Sequence, residues 1–283
     1  MTHIGVSSML AGNAEPLPEV RRISTDDLKA ALREGFDDFW AMPSHVIFLV
    51  IIYPIIGLVI ARVTMDETLL PIAYPLMAGF ALLGPFAALG LYELSRRREQ
   101  GLDTSWTHAF DVLHSPSINS ILALGAVLML IFIAWIGTAQ ALYAGLLGDV
   151  HPHSFPELVR DALSTSGGRA LIVLGNGFGF LFAVVAMSVS VVSLPLLLDR
   201  PVGAMAAAAT SIRAVRENPG PMAIWGLIIA LGLLVGTVTL FIGLALILPI
   251  FGHATWHLYR RLVIAPADRV APPTAADVST PRL

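Results

Sequence analysis

Between Gly220 and Tyr259 the sequence carries no Asp, Glu, Lys or Arg, and the block ends on Arg260-Arg261. One helix of that length would run about 60 Å at ~1.5 Å per residue, twice the roughly 30 Å hydrocarbon core of a bilayer. The block therefore reads as two short crossings joined by a tight turn near Gly236-Thr237-Val238-Thr239. Its apolar character extends to the whole chain. Hydrophobic residues make up 56% and charged residues 13%, with a mean hydropathy of +0.77. A soluble domain carries about a quarter charged residues. The apolar residues fall in blocks of bilayer length, not in the short alternating segments of a membrane β-barrel. The expected fold is an all-α, polytopic membrane helical bundle. The small soluble fraction excludes a nucleic-acid role, and with no cysteine there is neither a disulfide framework nor a thiolate metal site.

Read in order, residues 1–22 are a polar, disordered tail without a basic-then-apolar leader, so the first crossing directs insertion. Ser24 to Trp40 is an amphipathic helix with a Ser24/Asp27 capping box. Leu28, Leu32, Phe36, Phe39 and Trp40 share one face, and Lys29, Arg33, Glu34, Asp37 and Asp38 cover the other. Such a helix lies in the headgroup layer or packs on the protein's own cytoplasmic face. The membrane domain, 23–263, has crossings at about 45–61, 69–91, 118–146, 170–198, 220–236 and 240–259. Short amphipathic helices sit around Trp106, after Phe155 and before Asn218-Pro219. Residues 264–283 are a second disordered tail. Pro71, Pro75 and Pro85 in the second crossing are tolerated because neighbouring helices satisfy freed carbonyls.

Six crossings in three hairpins place every Lys and Arg on one side except Arg62, Arg160 and Arg169. That asymmetry puts both termini in the cytoplasm. A single long final helix would strand Arg260 and Arg261 outside. A threefold repeat accompanies the hairpins, with leading prolines Pro43, Pro116 and Pro219 and inner prolines Pro85, Pro195 and Pro249.

Four stretches taken together carry a family likeness. They are Gly84 to Arg97 (GPFAALGLYELSRR), Ser193 to Arg200 (SLPLLLDR), Asn218-Pro219 with Trp225, and Gly252 to Arg260 (GHATWHLYR). From about Val20 to Val263 the chain resembles the bacterial integral-membrane family called domain of unknown function 2189, sometimes labelled cytochrome c oxidase subunit I-like. The resemblance implies a six-helix protein of the bacterial inner membrane, multi-pass, and no particular activity. Family members often carry a second acid after the Asp-Arg pair, where this chain has Pro201-Val202-Gly203.

His253 and His257, four apart on one helix face, are the sharpest candidate for cofactor binding. Such a pair can ligate a metal, and one imidazole can ligate haem iron, with Arg260 meeting a propionate. Interfacial hydrogen bonding is the alternative use. A haem-copper catalytic subunit needs about six histidines, so the residues do not support catalysis of that kind. His151 and His153 could bind copper or zinc with Asp149 or Glu157, or belong to an ordinary polar loop. Glu93, Arg96, Arg97, Asp199, Arg200 and Arg260 mark a charged cytoplasmic rim suited to ion pairing, or to a gate in a transporter. Asn176 and Gln140 are placed to bond across helices, and Gly175/Gly179 and Gly232/Gly236 have the small-xxx-small spacing of close helix packing. No acid, Lys or Arg lies deep in a crossing, which counts against a proton-coupled carrier. No catalytic constellation is visible.

The leading expectation is a non-enzymatic interaction, assembly or envelope factor with no cofactor. Its partners are the lipid bilayer and a membrane protein or respiratory complex. The alternatives are a haem- or copper-binding accessory of a respiratory oxidase and a small-molecule transporter.

Overall fold

The computed structural model describes residues 17–42, 70–148, 152, 154–239 and 242–264. The first expected crossing, 45–61, lies outside them, as do His151, His153 and most of both tails. The regular structure of the described residues is helical, apart from one antiparallel bridge, Val20 to Val263. The helices are α1 Thr25–Ala41, α2 Leu70–Ala87, α3 Leu89–Glu99, α4 Ile118–Leu147 and α5 Phe155–Ser164. They continue with α6 Ser166–Ser190, α7 Ser193–Asp199, α8 Ala204–Glu217, α9 Pro219–Val238 and α10 Leu244–Leu262. A 3-10 helix, Trp106–His114, links α3 to α4. Ser24 caps α1 as its sequence requires, with the reciprocal bond from Asp27.

Four stretches are long and apolar enough to cross a bilayer: Ala73–Glu99, Ile118–Leu147, Ser166–Asp199 and Pro219–Val238. Two of them join consecutive helices through proline. Pro85 has no N–H to give, and α2 passes into α3 at Ala88, whose own amide bonds Gly84 O at 2.9 Å. Pro195 similarly follows the break between α6 and α7. There the Val192 amide is taken up by Ser211 Oγ at 3.1 Å. The block 220–261 is two helices, α9 and α10. The second is not among the four stretches because His253, His257, Arg260 and Arg261 dilute it.

Aromatic knobs in glycine holes set the close approaches. A Cβ on Gly79 would meet the Phe132 ring at 2.6 Å, and one on Gly125 the Phe86 ring at 2.6 Å, which holds α2 against α4. Gly232 receives Phe251 and Gly236 receives Leu244, so the spacing seen in the sequence does pack α9 on α10. Gly179 receives Trp135, but Gly175 faces open space. Asn176 Oδ1 accepts a bond from Tyr74 across α2 and α6 at 3.0 Å.

The core is gathered at one end, where Leu28, Tyr92, Leu94, Leu194, Leu196, Trp225, Trp256 and Tyr259 are fully buried. We call this the polar end, because charged side chains surround it. α1 runs antiparallel along α10, with the Gly35 backbone seated on Ala254. This corrects two expectations. The segment 17–22 is not a free tail: Arg21 N bonds Leu262 O, Ile264 N bonds Glu19 O, and Arg213 bonds Pro18 O. The buried face of α1 is Leu28, Ala31, Gly35, Asp38 and Phe39, while Phe36 and Trp40 are exposed. Small side chains at 31 and 35 admit α10 more closely than an aromatic stripe could.

Candidate functional site

Three elements converge on one carboxylate. α1 supplies Asp38, which is 3% exposed, α3 supplies Ser95 and Arg98, and α10 supplies His253 and His257. Ser95 Oγ donates to Asp38 Oδ2 at 2.5 Å, and His257 Nε2 lies 2.9 Å from the same oxygen. Arg98 donates to the other oxygen, Oδ1, at 2.5 Å. His253 is wholly buried, with Nδ1 2.8 Å from Ser95 Oγ and 3.9 Å from Asp38 Oδ2. An ionised carboxylate only accepts, so the Ser95 hydrogen points to Asp38 and the His253 ring donates to Ser95. The Leu91 backbone also lies against the His253 ring. A Cβ on the neighbouring Gly252 would strike Leu91 Cδ1 at 2.2 Å, so only glycine lets the two helices meet here.

A second carboxylate extends the cluster. Glu34 lies 3.1 Å from His257 Nδ1 and receives both Arg261 amino groups, at 2.8 and 2.6 Å. The Arg261 bonds hold the Glu34 carboxyl below the usual carboxylate range against the burial that would raise it. At Asp38, burial works to raise the carboxyl. The bonds from His257 and Ser95 and the attraction of both imidazoles outweigh it, and hold it low.

The rim residues separate into distinct pairings. Glu93, nearly buried, is gripped by Arg96 of its own helix through two bonds of 2.8 Å. Arg97 pairs with Asp111 at 3.2 Å in the 3-10 helix. Asp199 accepts from Tyr259 OH at 2.5 Å, from Arg200 at 3.1 Å and from Arg260 at 3.5 Å, which ties α7 to α10. Arg260 also pairs with Glu99, whose other oxygen takes the Trp256 indole N–H at 3.0 Å. Arg200 reaches the Ile264 carbonyl at 3.2 Å.

His253 and His257 are thus brought together, but not around an open ligand position. Both ring nitrogens of His257 are engaged by carboxylates, and His253 Nδ1 is engaged by Ser95. Arg98 and Arg261 supply the positive charge facing Asp38 and Glu34.

The amphipathic pattern of α1 puts Asp38 on the solvent face, whereas it is buried, and nothing in the pattern of α3 singles out Ser95. A signal for Asp38 was present: Ala31, Gly35, Asp38 and Met42 recur at spacings of four, three and four, a narrow seam of small residues with an acid inside it. His108 was also missed; it bridges Asp111 at 2.7 Å and Asp103 at 3.0 Å.

Comparison with curated proteins and with solved structures found no match. A family model does match, over a narrower region than the resemblance from Val20 to Val263 covers: it takes in α2 through α7, with Ser95, Glu93 and Asp199, but neither α1 nor α10. Residues 73–199 match the family described as a predicted integral membrane protein, domain of unknown function 2189.

Proposed function

We propose that the chain is a multi-pass protein of a bacterial inner membrane with both termini cytoplasmic. It works as a non-enzymatic interaction, assembly or envelope factor, and its polar end is the cytoplasmic platform. The base distribution supports the orientation. The α9–α10 hairpin returns both its ends to the polar end, so the side of the termini does not depend on how deep its turn goes. The observation that carries the functional reading is the shared carboxylate of Asp38. Its partners come from α1, α3 and α10, so the imidazoles serve to latch three helices into one surface. No resident haem or metal is required. The exposed face of α8, with Met205 84% exposed, stands on that surface and suits a membrane-protein partner.

A photo-crosslinking residue at position 205, activated in intact cells, tests this. We expect one recurrent protein adduct, which disappears in Asp38→Ala although the chain still inserts. Adducts to lipid alone, or an adduct unchanged by Asp38→Ala, would overturn the reading. A Soret band in protein purified from native membranes, lost in His257→Ala, would restore the oxidase-accessory alternative.

A further inference from the structure

The register between helices limits how far the last hairpin can reach. His253 is bonded to Ser95, and Gly252 touches Leu91, so these points on α10 and α3 share a level. From Leu91 back to Leu70 the rod of α2 and α3 extends about 31 Å, whereas from Gly252 back to Leu244 α10 extends about 12 Å. α9 shows the same shortfall. Met222 and Trp225 belong to the buried core of the polar end, and Asn218 is bonded to Ile23 and Arg21. Beyond Trp225 only about 20 Å of α9 remains, against a core of roughly 30 Å.

The chemistry of the turn agrees with that length. At the opposite ends of α4 and α6, the linking helix α5 carries Glu157, Arg160 and Asp161 and the start of α6 carries Arg169, as a segment reaching water does. From Gly236 to Gly243 there is no charge, and Val238 and Ile242 are 72% and 63% exposed. Among the described residues of this turn, the threonine hydroxyls and the Gly243 amide find partners within the hairpin. Thr237 Oγ1 donates to Leu233 O at 2.8 Å, and Thr239 Oγ1 lies 3.0 Å from both Val235 O and Gly236 O. The Gly243 amide donates to Thr239 Oγ1 at 3.1 Å. These bonds leave the groups with no need of water, as a turn in hydrocarbon requires.

We infer that the α9–α10 hairpin is re-entrant: it leaves the polar end, turns inside the hydrocarbon core and returns, and its tip meets acyl chains instead of the far aqueous phase. This replaces the two full crossings expected at 220–236 and 240–259. It leaves both termini on the same side.

The natural chain has no cysteine, so single-cysteine variants report position directly. Val238→Cys and Ile242→Cys sit on the two arms of the tip. Glu157→Cys and Arg216→Cys mark the far end and the polar end. In membrane vesicles of each orientation, an impermeant maleimide should label Glu157→Cys and Arg216→Cys from opposite sides. It should label neither tip variant, each reacting at least tenfold more slowly until detergent is added. A nitroxide on either tip cysteine should show high oxygen and low nickel-chelate accessibility, placing it near the bilayer centre. Labelling of the tip from the Glu157 side, labelling from the Arg216 side, or a nitroxide at headgroup depth would each overturn the inference. Agreement of two tip variants on separate arms guards against one misfolded protein deciding the result.

Discussion

At the polar end Leu94, Leu194, Trp225 and Tyr259 are fully enclosed, while along the apolar helices Leu130, Val173 and Phe180 remain 65%, 71% and 67% exposed. Both regions are rich in large apolar side chains, so hydrophobicity alone does not separate them. The solvent does. In lipid an exposed leucine costs nothing, and association rests on close packing and a few hydrogen bonds. Hence α2, α4 and α6 meet at glycine holes and through Trp135 and Tyr74. At the aqueous end, apolar surface must be enclosed and every buried charge must find a partner. The Asp38 and Asp199 clusters meet that requirement.

Removing the shared carboxylate should therefore break the polar end and leave the apolar helices standing. Asp38→Ala strands Arg98 and His257 beside a void and leaves Ser95 without its acceptor. Leaving buried donors of this kind without their acceptor costs about 1–3 kcal/mol. Phe180→Ala, on the lipid-facing surface, should stay within about 0.5 kcal/mol. Unfolding midpoints in an SDS titration followed by circular dichroism compare the two. Equal losses would erase the distinction between the regions.

Acid should act on the same end alone. Asp38 and Glu34 are both held below the usual carboxylate range in the folded protein. Their contribution is complete above the unfolded value of about 4 and is lost as pH falls through the lower folded values. Thermal stability should fall most steeply below pH 4, as these two carboxylates protonate. The fall should be shallower in Asp38→Ala. A wild-type protein whose stability rises as pH drops below 4 would reverse the assigned sign.

The same contrast governs what could be read in advance. Apolar blocks at 118–146 and 170–198 are legible because bilayer length is a one-dimensional constraint, and the helices fall close to them. The break in the last block was legible for the same reason. Its depth was not, since depth depends on which residue of α10 lies beside Leu91. The site was half legible. His253 and His257 stand out by spacing, but their partners are more than a hundred residues away on α1 and α3, and Asp38 looks like any acid on an amphipathic helix. Only the register set by Gly35 on Ala254 and Gly252 on Leu91 makes it the centre.

The gentlest test lies among the apolar helices. Tyr74 OH donates to Asn176 Oδ1 at 3.0 Å, and Asn176 Nδ2 separately donates to Ile172 O at 2.8 Å. Tyr74→Phe removes one hydroxyl and nothing else, and Asn176 keeps its bond within α6. Hydrogen bonds between membrane helices average about 0.6 kcal/mol, because the separated helices find other partners. A loss of that size, in the same SDS titration, is expected, and it should add to that of Asp38→Ala, since the two sites share no partner. A loss of several kcal/mol, or strong coupling between the two substitutions, would mean that the polar end and the apolar helices are one cooperative unit and that the contrast in their packing has no energetic counterpart.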